Sequence, residues 1–178
     1  LFSAQMCTSP QNIYVPRGGV FVGGRRVSVD EVCDALVAAF RAVVAEPKRA
    51  ASILATVQSP ATLDLIGRLH ESGTRRGAVL LESAPYVHPD FPAARTATPL
   101  LLRVAPDARD LYGEERFGPI GFVIEADDAD GALESATADV RAAGGSTAFV
   151  YSQREDFLAA AETAYAVAGA QLTCNLPG

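Results

Sequence analysis

The feature that most constrains this chain is the regular exchange of short apolar runs and helical periodicities over its second half. Ala78 to Glu82 (AVLLE), Leu100 to Val104 (LLLRV) and Ile120 to Ile124 (IGFVI) read as strands. Asp127 to Ala143 then suits a helix, with acidic residues in its first turn, where the helix dipole favours them. Ser146 to Tyr151 (STAFVY) reads as a strand, Glu155 to Ala168 as a helix and Ala170 to Cys174 (AQLTC) as a closing strand. Strands and helices alternating through short connections predict an α/β domain, layered, with a largely parallel sheet flanked by helices.

The first half adds helices to this frame. Gln11 to Val15 (QNIYV) is apolar enough for a strand, and Pro16-Arg17-Gly18-Gly19 closes it. Ser28-Val29-Asp30-Glu31 has the Ser-x-x-Glu spacing of a capping box. The run that follows places Val29, Val32, Cys33, Leu36, Val37, Phe40, Val43 and Val44 on one helical face. A further helix is predicted from Ser59-Pro60, with proline at the first helical position, to about Ser72 before Gly73. The pairs Gly18-Gly19, Gly23-Gly24 and Gly144-Gly145 lack the strand, spacing and helix start of a phosphate-binding loop and read as turns, the last as a helix C-cap.

Composition narrows the partners. The 178 residues suit one domain, and the hydrophobic and charged shares of 49% and 20% are those of a globular chain. The net charge of −6, without a Lys/Arg block, argues against nucleic acid or an anionic membrane as partner. No apolar run approaches the roughly 20 residues of a membrane helix, and no signal peptide is visible, so a cytoplasmic setting is expected. Leu1-Phe2 and Leu176-Pro177-Gly178 both read as points inside a longer polypeptide. Cys7, Cys33 and Cys174 are widely spaced with no CxxC pair or His–Cys cluster, which supports neither a zinc site nor a disulfide framework; no metal is expected.

Two segments carry candidate chemistry. Cys7 sits in Ala4-Gln5-Met6-Cys7-Thr8-Ser9-Pro10, a polar, turn-forming setting that suits either a nucleophilic thiol or a half-buried structural one. Cys33, on the apolar helix face, and Cys174, in the closing strand, read as core. The second segment is Glu114-Glu115-Arg116-Phe117-Gly118-Pro119-Ile120, either a polar tip leading into a strand or a carboxylate placed for ribose hydroxyls. His70 and His88 read as surface or helix-capping residues.

Together, Gln5-x-Cys7 and the distant Glu115-x-Phe117-Gly118-Pro119 resemble the aldehyde dehydrogenase superfamily. Gly77-Ala78-Val79-Leu80-Leu81 resembles that family's strand before its variable loop. Thr98-Pro99-Leu100 resembles its Pro-Thr start of a strand, in reversed order, and Gly169 to Asn175 its late strand ending in asparagine. Cys7 to Pro16 (CTSPQNIYVP) is similar to the phenylacetate-degradation (PaaN-like) branch, which handles ring-opened semialdehydes.

The resemblance implies a catalytic-domain fragment over 1–178, lacking the dinucleotide-binding domain and the C-terminal oligomerisation segment. Cys7 would be the nucleophile that forms a thiohemiacetal with an aldehyde, its backbone N–H contributing to an oxyanion hole. Glu115 would bind the nicotinamide ribose and Phe117 would line the nicotinamide of NAD or NADP. The general base and most of the cofactor site would lie outside this chain, and the parent would be a homo-oligomer acting on a small-molecule aldehyde. Transfer of the acyl group to coenzyme A instead of water, or a non-catalytic interaction or scaffold role, are the alternatives. Ala4 stands where the family usually has glycine and is expected to crowd the turn that presents the thiol.

Overall fold

The computed structural model describes residues 4–6 and 8–176. In chain order the elements are β1 (Asn12–Pro16), β2 (Val20–Val22), β3 (Arg25–Val27), α1 (Val29–Val44), α2 (Pro47–Leu54), α3 (Pro60–Arg76), β4 (Gly77–Leu81), β5 (Leu100–Val104), α4 (Arg109–Tyr112), β6 (Ile120–Ala126), α5 (Ala129–Ala143), β7 (Thr147–Val150), α6 (Glu155–Ala168) and β8 (Gln171–Cys174).

The central sheet has the order β1-β6-β5-β4. Strands β1, β6 and β5 are parallel, and β4 joins the edge antiparallel. The parallel pair β7-β8 and the antiparallel hairpin β2-β3 stand apart from it. The layered α/β arrangement agrees with the alternation read from the sequence. The outer edges of β1 and β7 pair with no strand among the described residues.

The two-residue period of β5 and β6 sorts their side chains between two cores. Leu100, Leu102, Val104, Ile120, Phe122 and Ile124 pack with Ile66 and Leu69 of α3 and with Leu111 and Tyr112. Leu101 and Val123 turn to the other face and meet Val15 and the α1 residues Val29, Cys33 and Val37. Burial on both faces is why LLLRV and IGFVI read as nearly unbroken apolar runs. Arg103 is the charged exception within β5: its Nε and Nη2 lie 2.7 and 2.5 Å from Glu125 Oε1 on β6, and its Nη1 lies 2.5 Å from Asp30 Oδ1 in the first turn of α1. One guanidinium thus ties two strands to a helix start.

The predicted caps form. The Glu31 N–H donates to Ser28 Oγ (3.2 Å), and the Ser28 N–H donates to Glu31 Oε2 (2.8 Å), a complete capping box. Asp128 caps α5 by accepting from the Gly131 N–H (2.8 Å), and Gly144 ends it in the left-handed region at φ 76°.

One boundary moves, and two features appear that the sequence did not announce. Helix α3 does not stop before Gly73 but continues to Arg76. Gly73 is there because α3 presses on β5: a Cβ on it would lie 2.6 Å from Leu102 Cδ2. Helix α2, capped by Glu46 and not by one of the favoured small polar residues, buries Ala50, Ala51 and Leu54 and had no strong sequence signature. The glycine pairs at 18–19 and 23–24 are turns as read, the first leading into β2 and the second joining β2 to β3 in a hairpin whose short strands are largely exposed. No helix among the described residues is long and apolar enough to cross a membrane.

Candidate active site

A cleft of about 1230 Å³ opens beside β1, floored by α5 and bounded across from it by β7. Met6, Thr8 and Ser9, which flank position 7, line it together with Gln11, Tyr14 and Glu115. Cys7 itself lies outside the described residues, and the structure describes only its neighbours.

Those neighbours are anchored on both sides. Upstream, Gln5 donates from Nε2 to the Thr56 carbonyl (2.9 Å) and accepts from the Gln58 N–H at Oε1 (2.8 Å). The segment is thereby fastened to the chain between α2 and α3. The Ser9 N–H donates to the Met6 carbonyl (3.0 Å). Downstream, the Phe122 N–H donates to the Gln11 carbonyl (2.9 Å), which starts the pairing of β1 with β6. Ala4 takes φ 50°. That is the left-handed region, which costs a residue with a Cβ about 1–2 kcal/mol and which glycine enters freely.

The loop carrying Glu115 and Phe117 joins α4 to β6. Gln11 Nε2 donates to the Tyr112 and Glu114 carbonyls (3.1 Å each), and the Arg116 N–H donates to Gln11 Oε1 (2.6 Å). Asn12 Nδ2 adds a bond to the Tyr112 carbonyl (3.1 Å). The Arg116 guanidinium folds back under the loop to the carbonyls of Leu111 (3.1 Å) and Asp110 (2.7 Å). The loop exits through Gly118 at φ 153°, where a Cβ would meet Thr62 Cγ2 at 2.7 Å. The Leu100 N–H then donates to the Pro119 carbonyl (2.8 Å), where β5 meets β6.

Glu115 lines the cleft, and no described residue bonds or ion-pairs with its carboxylate. As an acceptor-only group it suits a pair of ligand hydroxyls. Phe117, 46% exposed, offers a ring face but does not line the cleft. The structure therefore places Glu115 and the flanks of Cys7 on one cavity and sets Phe117 beside it.

Deeper in the cleft, Tyr14 donates its hydroxyl to Asp139 Oδ2, and Arg109 pairs with Asp139 Oδ1 as an ion pair without hydrogen-bond geometry. Burial, and then the bond to Asp139, push the Tyr14 phenol far above its ordinary value, so it stays protonated. This trio clasps β1, α4 and α5. Its members, like Gln11 and Arg116, escaped the sequence reading because their partners lie far apart along the chain.

The remaining candidates are structural. Cys33 is 3% exposed, and burial raises its thiol above the usual value. Cys174 is half-buried in β8. His88 is not a surface residue: it is 7% exposed, and its Nδ1 accepts from the Asp90 and Phe91 N–H groups (3.2 and 3.3 Å), capping a loop turn and not a helix. His70 faces Glu82 at 3.6 Å. No group of three or more His, Cys, Asp or Glu among the described residues is placed to hold a metal ion.

A sequence model described as "Aldehyde dehydrogenase family" matches residues 1–171. An NAD-dependent aldehyde dehydrogenase from Burkholderia multivorans superposes with a TM-score of 0.93 at 37% identity, over 100% of this chain and 31% of that one. An NAD-dependent benzaldehyde dehydrogenase from Corynebacterium glutamicum gives 0.66 at 23% identity, over 96% of this chain and 33% of that one. A succinic semialdehyde dehydrogenase from Streptococcus pyogenes, in complex with NADP+, gives 0.69 at 16% identity, over 99% and 35%. The last two show the fold alone. The chain spans about a third of the length of these structures. Comparison with curated proteins gave no match.

Proposed function

Since the chain belongs to the aldehyde dehydrogenase family, we propose that it contributes the thiol and part of the cofactor site of an NAD(P)-dependent aldehyde oxidation, as one segment of a longer, homo-oligomeric polypeptide. The observation that carries this reading is the common cavity: both flanks of Cys7 line one cleft with Glu115, whose carboxylate has no partner among the described residues. Relatives named for NAD and NADP support the choice of cofactor class.

In this reading the Cys7 thiolate adds to the aldehyde carbon, forming a C–S bond and an oxyanion that the backbone N–H groups of the turn stabilise. NAD(P)+, when bound, supplies the hydride acceptor that makes oxidation to the thioester possible. Glu115 would accept hydrogen bonds from the ribose of the nicotinamide nucleotide, and Phe117 would line the nicotinamide. Water then cleaves the thioester to the acid and frees the thiol. The proposed substrate class is a ring-opened semialdehyde of phenylacetate breakdown, carried by the CTSPQNIYVP segment that contains Cys7.

The test is semialdehyde-dependent NAD(P)H formation by the complete polypeptide, beside a Cys7→Ala variant, with and without coenzyme A. Activity that is abolished in the variant and independent of coenzyme A is the expected result. Strict dependence on coenzyme A would replace hydrolysis by acyl transfer. Inactivity with an aldehyde panel and both cofactors would refute the catalytic reading and favour an interaction role.

A further inference from the structure

We propose that Gln11 is a positioning residue, whose side-chain amide sets the direction in which Glu115 presents its carboxylate relative to the Cys7 segment. The proposal rests on the nucleotide-binding role given to Glu115 above.

Two peptide planes meet at Glu115. The Glu114 carbonyl belongs to the peptide unit before Glu115, and the Arg116 N–H belongs to the unit after it. Both are bonded to the same Gln11 amide, at 3.1 and 2.6 Å. A single side chain therefore fixes the two planes whose relative rotation is the backbone conformation of Glu115. The Glu115 side chain itself stays uncommitted among the described residues. A held backbone with a free carboxylate is the arrangement a preorganised ligand contact requires.

Gln11 is in turn a rigid post. Its carbonyl is locked into the sheet by the Phe122 N–H (2.9 Å), and the strand that follows is in register with β6 from Asn12↔Phe122 onward. It also stands only a few positions after Cys7, so that one residue spans the distance between the thiol segment and the loop. Arg116 braces the loop's inner curve through backbone carbonyls of α4 but bonds neither peptide group of Glu115 from its guanidinium. Asn12 reaches Tyr112 and stops short of Glu115. Among the described residues, the side chain that clamps both peptide groups of Glu115 is that of Gln11.

The test compares the complete enzyme with its Gln11→Met and Gln11→Glu variants. Methionine keeps the length and loses all the bonds; glutamate keeps the acceptor for Arg116 and loses the donors to the two carbonyls. Both variants are expected to raise KM for NAD(P)+ and the Kd for NAD(P)H, read by nucleotide fluorescence, about tenfold or more, since misplacement of a binding group by about 1 Å has effects on this scale. KM for the aldehyde is expected to change far less. Amide hydrogen exchange at Arg116 is expected to quicken in Gln11→Met. Ser28→Ala, which weakens the distant α1 cap, serves as the control for general destabilisation and is expected to leave the nucleotide constants alone. Unchanged nucleotide affinity in Gln11→Met, with a wild type that binds, would overturn the clamp while leaving the functional reading intact. A wild type that binds no NAD(P)H would overturn the functional reading on which the clamp rests.

Discussion

Gly67 and Gly73 lie on the same helix and offer a test in which identical substitutions have opposite signs. In a helix interior alanine is favoured over glycine by about 0.8–1.0 kcal/mol. At Gly67, which is exposed, an added Cβ meets nothing within 4 Å. Gly67→Ala should therefore stabilise by roughly 1 kcal/mol. At Gly73 the same methyl would stand 2.6 Å from Leu102 Cδ2, 3.0 Å from Cδ1 and 3.3 Å from Cγ. Ordinary contact begins near 3.4 Å, so the leucine must withdraw by most of an ångström, yet Leu102 is 0% exposed and enclosed by the larger core. Overpacking of this kind costs about 1–3 kcal/mol. The propensity gain is also reduced in the last turn, where the helix frays, leaving Gly73→Ala destabilising by about 1–2 kcal/mol. Urea denaturation with equal m-values measures both. A cycle with Leu102→Ala locates the cause, because the penalty at Gly73 should vanish once the leucine is gone. Stabilisation of Gly73→Ala to the same extent as Gly67→Ala would refute the claim that glycine sets the spacing between α3 and β5.

Other substitutions test the loop, the cap and the thiols. Gly118→Ala combines a disfavoured backbone at φ 153° with a 2.7 Å contact to Thr62 Cγ2, and should cost about 3 kcal/mol in denaturation and weaken nucleotide binding; a loss below about 1 kcal/mol would show that the loop adapts freely. Glu31, held by the Ser28 N–H and then by Arg25, has its carboxyl lowered from 4.5 to about 2. Its contribution is complete above pH 4.5 and fades as the pH falls through about 2, so the stability gap between wild type and Glu31→Gln should close on acidification across that window. A gap that ignores pH there would remove Glu31 from the cap's energetics. Cys33, 3% exposed and with its thiol raised by burial, should react with iodoacetamide only on global unfolding, whereas half-buried Cys174 should react in the folded chain. Labelling at Cys33 at the rate of Cys174, followed by mass mapping, would contradict the packing of α1.

Local rules made much of the architecture readable. The capping box at Ser28, the proline start of α3 and the left-handed glycine after α5 are decided within a few residues, and all stand where expected. Strands β5 and β6 announced themselves because both of their faces are buried. Helix α2 did not, because its buried stripe is mostly alanine and gives little contrast against a polar background. The antiparallel direction of β4 was equally hidden: α3 leads directly into it at Gly77, and only the tertiary path decides which way it meets β5. At the site, the resemblance to a known family, carried by Gln5-x-Cys7 and Glu115-x-Phe117-Gly118-Pro119, pointed to Cys7, Glu115 and Phe117. The cavity shared by Glu115 with the thiol's neighbours, and the amide bonds that hold the loop, depend on contacts spanning roughly a hundred positions, which no local pattern encodes.

The edges of β1 and β7, unpaired among the described residues, bear on self-association of the isolated chain. The Phe122 N–H bonded to the Gln11 carbonyl, and the Arg17 N–H bonded to that of Ala126, turn the odd-numbered positions of β1 toward β6. By the alternation of a strand, the backbone groups of Asn12 and Tyr14 point outward, and those of Thr147 and Phe149 do so on β7. Neither strand carries a charged side chain to deter a neighbour. Pro16, with no N–H of its own and its carbonyl taken by Gly19 (2.8 Å), blunts only the end of β1. Two uncharged strand edges thus face one cleft, and pairing between copies along them is the expected route by which the isolated chain self-associates.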